Sequence, residues 1–198
     1  MPKTRIFNLS LHRSGTQSFA DFCQRNGLKT LHWPGIGFDL ICRPALETVD
    51  SEYVWYQYSK IIGGFDAVAD IPAPVVFREA MTNYPDAKFV LILREPAEWV
   101  KSVRQHVNQR EMDVLEKMQY WTAYGKNFGD YLTLGDAELE ALYRRFAQMV
   151  TDYARRRNVA LGIFDLSDPE LGQKLGAFLE VEGQKSFNLV DITKPGKA

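Results

Sequence analysis

The sequence predicts an α/β fold around a central, mainly parallel sheet, and three observations carry that prediction. Short apolar runs alternate with longer segments of helical spacing along the 198 residues. One run, Ala87-Lys-Phe-Val-Leu-Ile-Leu-Arg94, is apolar nearly throughout, the pattern of a strand covered on both faces. No repeat of solenoid or propeller period and no low-complexity tract interrupts the alternation. A chain of this length can bury a real core and is expected to form one domain, residues 1–198.

The elements follow in order. Arg5 to Leu11 reads as a short buried strand, and Gly15 to Asn26 as a helix with Phe19, Phe22 and Cys23 on one side and Gly27 at its end. Lys29 to Trp33 reads as a short strand, after which Pro34, Gly35 and Gly37 break the chain. Ala45 to Ile62 has the spacing of an aromatic-rich helix, stopped by Gly63-Gly64. Phe65 to Asp70 is the next strand, Ala73 to Tyr84 the next helix, and Pro85-Asp86 a turn before the strand at 87–94. Pro96 suits a first helical position, and Trp99, Val100 and Val103 give that helix an apolar side. Helical patterns at Asp113 to Phe128 and Asp136 to Arg157 precede a strand, Val159 to Phe164, and a last helix, Pro169 to Leu179.

Composition narrows the function classes. Hydrophobic residues make up 45% and aromatics 13%, which argues against disorder, and 24 Lys+Arg against 25 Asp+Glu removes the basic excess of a nucleic-acid binder. Any anion bound is therefore small and locally recognised. Cys23 and Cys42 form no CxxC, so the expectation is two buried thiols in a reducing compartment rather than a disulfide or a thiolate zinc site. The start lacks a signal-peptide core, and the longest strongly apolar run, Phe89 to Leu93, is too short to span a bilayer. The chain is expected to be soluble and cytoplasmic.

In a parallel α/β fold, ligands bind beyond the carboxyl ends of the strands, so the chemistry is sought there. The first strand runs into His12-Arg13-Ser14-Gly15-Thr16-Gln17-Ser18. A cation, hydroxyls and a glycine before a helix start suit a phosphate or sulfate held by backbone N–H groups. The string lacks the upstream Gly and the Lys of a Walker A loop, and a plain turn capped by Ser14 or Thr16 is its alternative. Asp70 closes an apolar stretch before Pro72, where it can be a general base, a Mg²⁺ ligand or a helix cap. Arg94 ends the strongest strand, with Ser102 eight residues on, and a guanidinium fork plus a hydroxyl suits a terminal phosphate. His32 is a second candidate base, whereas His106 is expected at the surface. Trp55, Tyr56, Tyr58, Tyr120, Trp121 and Tyr124 can roof a pocket or simply pack, and Arg155-Arg156-Arg157 suits a solvated helix C-terminus.

Together these motifs resemble the sulfotransferases that use 3′-phosphoadenosine 5′-phosphosulfate (PAPS). The family signature [PK]-[RK]-[ST]-G-T-[TS]-[ST] is similar to residues 12–18, and its R-x-P strand end with a Ser eight residues after the Arg is matched by Arg94-Glu95-Pro96 and Ser102. The resemblance spans about residues 5 to 180. It implies a P-loop-type three-layer α/β/α fold, with Arg13, Ser14, Gly15, Thr16, Gln17 and Ser18 on the 5′-phosphosulfate and Arg94 and Ser102 on the 3′-phosphate. It further implies sulfuryl transfer by in-line displacement to a hydroxyl or amine of a small-molecule or glycan acceptor. Arg13 would stabilise the leaving phosphate, Asp70 or His32 would act as base, and no metal would be needed. The sequence departs from the pattern at His12, where Pro or Lys is commoner, and at Gln17. The glycine-rich basic segment of the cytosolic branch is also not recognisable, the tail offering only Lys194-Pro195-Gly196-Lys197. A Mg-ATP-dependent P-loop small-molecule kinase using Thr16 and Asp70, and a catalytically silent PAPS- or PAP-binding module, are the alternative readings.

Overall fold

The computed structural model describes residues 5–107, 112–125, 133–182 and 186–189. Five strands form one all-parallel sheet: β1 (Ile6–Asn8), β2 (Thr30–Leu31), β3 (Ala67–Val68), β4 (Lys88–Leu93) and β5 (Ala160–Asp165), in the order β2-β3-β1-β4-β5. β1 pairs with β3 on one side, Phe7 opposite Val68, and with β4 on the other, Phe7 opposite Phe89. The chain leaves β1 toward one edge and returns to fill the other, so the strand order reverses at β1. The crevice beyond its carboxyl end is where such sheets bind ligands.

Alternation along the strands sorts the core into two layers. Phe7, Val68, Phe89 and Leu91 enter the larger cluster, whereas Ile6, Ala67, Val90 and Ile92 enter the smaller one. The smaller layer is covered by α1 (Thr16–Arg25), through Phe19, Phe22 and Cys23, and by α8 (Leu171–Leu179), through Leu171, Leu175 and Leu179. The larger layer is covered by α3 (Ser51–Ile62), α4 (Phe77–Asn83), α5 (Pro96–Val107), α6 (Val114–Tyr124) and α7 (Asp136–Arg157). This is the α/β fold with a parallel sheet expected from the alternation, in the three-layer α/β/α arrangement that the resemblance implies. Among the described residues, no helix is long and apolar enough to cross a membrane. Both cysteines are buried, and burial pushes each thiol up to about 12.

The elements at 45–62 and 34–37 differ from the sequence reading. A further helix, α2 (Ile36–Cys42), stands where the Pro34, Gly35 and Gly37 breakers predicted an interruption, and a 3₁₀ turn, Arg43–Ala45, follows it. Gly35 is the N-cap of α2 and takes φ 90°, so the breaker starts the helix instead of ending it. Tertiary contacts then hold seven residues of modest propensity, with Phe38 and Cys42 in the core. Asp39 is buried on α2 and accepts the N–H groups of Val114 (3.1 Å) and Leu115 (2.8 Å), capping the start of α6 from across the molecule. The aromatic-rich helix accordingly starts at Ser51, capped by Asp50, and not at Ala45. The expected helix end at 126–128 and the tail at 194–197 lie outside the described residues.

Candidate active site

The β1–α1 turn is built to present its backbone. Arg13 and Gly15 both take left-handed φ, 65° and 80°, and the Ser14 N–H donates to the Leu11 carbonyl at 3.2 Å. A Cβ on Gly15 would sit 2.6 Å from Leu166 Cδ1, in the turn after β5, so the close approach of the two turns also requires glycine. Trp99 of α5 donates its indole N–H to the His12 carbonyl at 2.9 Å and stacks on Tyr143 of α7 at 4.6 Å. The Tyr143 hydroxyl accepts the Arg94 N–H at 2.8 Å and lies 3.0 Å from Ser14 Oγ. Burial raises the Tyr143 pKa, so this hydroxyl stays protonated as a tie between the two strand ends.

Two cations meet at these strand ends. Arg13 Nε donates to Ser102 Oγ at 3.0 Å, and burial together with the nearby Arg94 charge lowers the Arg13 pKa from its ordinary value. Two guanidinium groups held near one another are a mutual cost that an anion relieves. Arg94 has Glu98 at 3.7 Å, a surface pair that leaves the guanidinium half-exposed.

A carboxylate and an imidazole face them across the turn. Asp70 takes a left-handed φ of 65° just before the cis Ile71–Pro72 bond, and its Oδ1 accepts the Ile71 N–H at 2.9 Å. Its Oδ2 lies 3.1 Å from His32 Nε2, which also lies 3.3 Å from Thr16 Oγ1. Burial is the largest influence on Asp70 and raises its pKa above the ordinary carboxylate value, against the lowering by His32 and by hydrogen bonds from Ile71 and Thr16. A third group joins the β1–α1 turn to α6: His12 Nε2 lies 2.5 Å from the Tyr120 hydroxyl, and His12 Nδ1 lies 3.7 Å from Glu116 Oε1. His12, Arg13, Gly15, Thr16, His32, Asp70, Arg94 and Glu116 line one cavity of about 700 Å³ at the carboxyl ends of the strands, whereas Ser14, Trp99, Ser102, Tyr120 and Tyr143 are outside its lining. Gln17, Ser18, Trp33 and Glu95 line it too.

The comparison with known proteins decides the family. Residues 5–188 match the sulfotransferase domain. The chain belongs to the sulfotransferase domain family. A curated relative, Ava biosynthesis cluster protein M of Aspergillus versicolor, is 26% identical over 147 residues, which make up 70% of this chain and 52% of that protein. The chain thus spans about half the length of the curated relative it matches. Among solved structures, a sulfotransferase from Alicyclobacillus acidocaldarius aligns with 98% of this chain and 86% of its own, at 15% identity and a TM-score of 0.49.

Within this sulfotransferase-family chain the fold brings Arg13, Ser14, Gly15, Thr16, Gln17, Ser18, His32, Asp70, Arg94 and Ser102 to the same strand ends. Arg13 and Ser102, which the motif reading assigned to different ends of the nucleotide, are in direct contact. The aromatics expected as a possible roof are absent from the lining among the described residues: Tyr58 and Tyr120 are fully buried in the core and Tyr56 is on the surface. His106 is exposed as expected, yet it lines the cavity beside His12, with ring centroids 6.0 Å apart. Trp99, Glu116 and Tyr143 were not foreseen as site residues. Helical spacing marks them as inward-facing, but nothing local distinguishes a buried Tyr that ties two loops from one that only packs.

Proposed function

We propose that this chain transfers a sulfuryl group from PAPS to a hydroxyl or amine of a small-molecule acceptor. The observation that carries the reading is the meeting of Arg13, Ser102 and Arg94 at the nest-like β1–α1 turn, opposite a half-buried Asp70–His32 pair in the same cavity. The residues present fit the nucleotide: the left-handed Arg13 and Gly15 offer backbone N–H groups to an anion, and the paired guanidiniums supply charge that a phosphate would balance. Residues 13–18 would hold the 5′-phosphosulfate, and Arg94 with Ser102 the 3′-phosphate. PAPS supplies an activated sulfuryl group, and the protein's work is placement and charge stabilisation.

Arg13 is placed to bear the negative charge that builds on the leaving phosphate oxygen, and its hydrogen bond to Ser102 pre-sets the guanidinium. Asp70 takes the acceptor proton. Its raised pKa makes it a stronger base than an ordinary carboxylate, and His32 at 3.1 Å orients it and stabilises the ionised form. The biosynthesis-cluster name of the relative is in keeping with a small-molecule acceptor.

One arrangement also favours the kinase reading: Thr16 hydrogen-bonds Asp70, a hydroxyl and a carboxylate side by side as a Mg²⁺ site would have them. Against it stands the missing Walker lysine, Arg13 being the only cation in residues 12–18. The test is transfer from labelled PAPS to a panel of hydroxyl and amine acceptors. Transfer by the wild type, lost in Arg13→Ala, is expected. PAPS binding with no turnover across the panel, together with an intact Asp70, would favour the silent binding module instead.

A further inference from the structure

His12 is one of the two residues, with Gln17, at which residues 12–18 depart from the family pattern, and the nucleotide reading gives it no task. It meets two other residues on the cavity wall. We propose that His12, His106 and Glu116 form a binding site for a divalent transition-metal ion of the Zn²⁺ type. The three come from separate elements, the turn after β1, the last turn of α5 and the first turn of α6, and their donor atoms all lie within 4.8 Å of one another.

The spacing suits a metal. His12 Nδ1 and Glu116 Oε1 are 3.7 Å apart. Donors about 2.0–2.2 Å from a tetrahedral Zn²⁺ stand about 3.3–3.6 Å from each other, so a few tenths of an ångström would close the His12–Glu116 pair, and a shift of up to about 1 Å would bring in the exposed His106. The outer partners are in place as well. The Tyr120 hydroxyl engages His12 Nε2 at 2.5 Å, which presents Nδ1 to the carboxylate, and the Asp113 N–H donates to Glu116 Oε2 at 3.0 Å, which presents Oε1. His12 and Glu116 are 5% and 3% exposed, while His106 is exposed, so the site has two fixed donors and an open side by which an ion can enter. Two imidazoles and one carboxylate are a donor set that leaves a coordination position for water or a substrate oxygen. All three residues line the cavity that also holds Asp70, so a bound ion would contribute to holding the acceptor. The nucleotide contacts proposed above do not involve it.

The resemblance to PAPS-dependent sulfotransferases implies no metal, and the three residues are far apart in the sequence, so only the fold assembles this set. The experiment uses the full chain freed of metal with a chelator and titrated with Co²⁺, read by its d–d absorption, and with Zn²⁺ by competition. One equivalent is expected to bind. His106→Ala and Glu116→Gln are each expected to weaken it by at least about 10–100-fold, the loss that follows even from removing a supporting partner. His106 is exposed, so its variant leaves the buried packing intact, and circular dichroism verifies the fold of both variants. Absence of stoichiometric Co²⁺ binding, or binding equally tight in both variants, would overturn the site. PAP binding measured on the same chelated samples separates the two claims, since its loss in the wild type sinks the sulfotransferase reading and leaves the metal result standing.

Discussion

Gly15 stands under two independent constraints: a φ of 80° and a Leu166 methyl 2.6 Å from where a Cβ would be. The left-handed conformation alone costs a side-chain-bearing residue about 1–2 kcal/mol, and the clash adds to it. Gly15→Ala is therefore expected to lower thermal stability and to weaken PAP binding by more than about tenfold, measured by calorimetry on the folded variant. Asp70 makes a prediction of a different kind. The base must be ionised, so kcat/KM should rise with pH through a pKa above the ordinary carboxylate range. Asp70→Asn should remove that limb and cost about 10²–10⁴ in rate. The sign for stability is opposite. A carboxyl whose folded pKa is raised stabilises the fold below its unfolded pKa and loses that contribution as pH climbs through the folded value. The stability of Asp70→Asn relative to wild type should accordingly increase as pH rises above the ordinary carboxylate range in chemical denaturation.

Helices α2, α6 and α7 hold the site in shape through a few buried polar contacts. Asp39 on α2 caps α6 with two N–H bonds, and α6 in turn carries Glu116 and Tyr120. Removing the carboxylate leaves two buried donors without their acceptor, each worth about 1–3 kcal/mol. Asp39→Ala is expected to destabilise the protein by at least about 2 kcal/mol in urea unfolding, with a smaller change in PAP affinity, since α6 is not in the proposed nucleotide site. Tyr143 on α7 behaves in the reverse manner. Tyr143→Phe keeps the stack on Trp99 but frees the Arg94 N–H and Ser14, so PAP affinity should fall several-fold more than stability alone would suggest. These ties explain why α2 was illegible in the sequence: Pro34, Gly35 and Gly37 argue locally for a break, and what makes the helix is Phe38, Asp39 and Cys42 reaching partners far along the chain.

At the level of the whole molecule, the parallel sheet was legible because β4 is nearly all apolar and the helices alternate with strands on a regular schedule. The β1–α1 turn and the residues at the strand ends were legible for a related reason. In such a sheet the carboxyl ends of β1, β3 and β4 are neighbours whatever the details, so motifs at three strand ends had to converge. The direct Arg13–Ser102 contact and the Glu116–His12 pair depend on how α5 and α6 lie on the sheet, and no local spacing encodes that. The same topology gives the cavity two chemical sides, cationic at Arg13 and Arg94, and carboxylate-imidazole at Asp70, His32, Glu116 and His12.

The proposed division between an anion-holding side and a proton-accepting side is what a sulfuryl transferase requires, whereas a triphosphate kinase would build its site around a lysine and Mg²⁺. It is tested most directly by isothermal titration of the full chain with PAP in a chelator, beside ATP with Mg²⁺. Metal-free PAP binding that is lost in Arg94→Ala is the predicted result. Binding of ATP only with Mg²⁺, with PAP ignored, would contradict the account and make Asp70 a metal ligand.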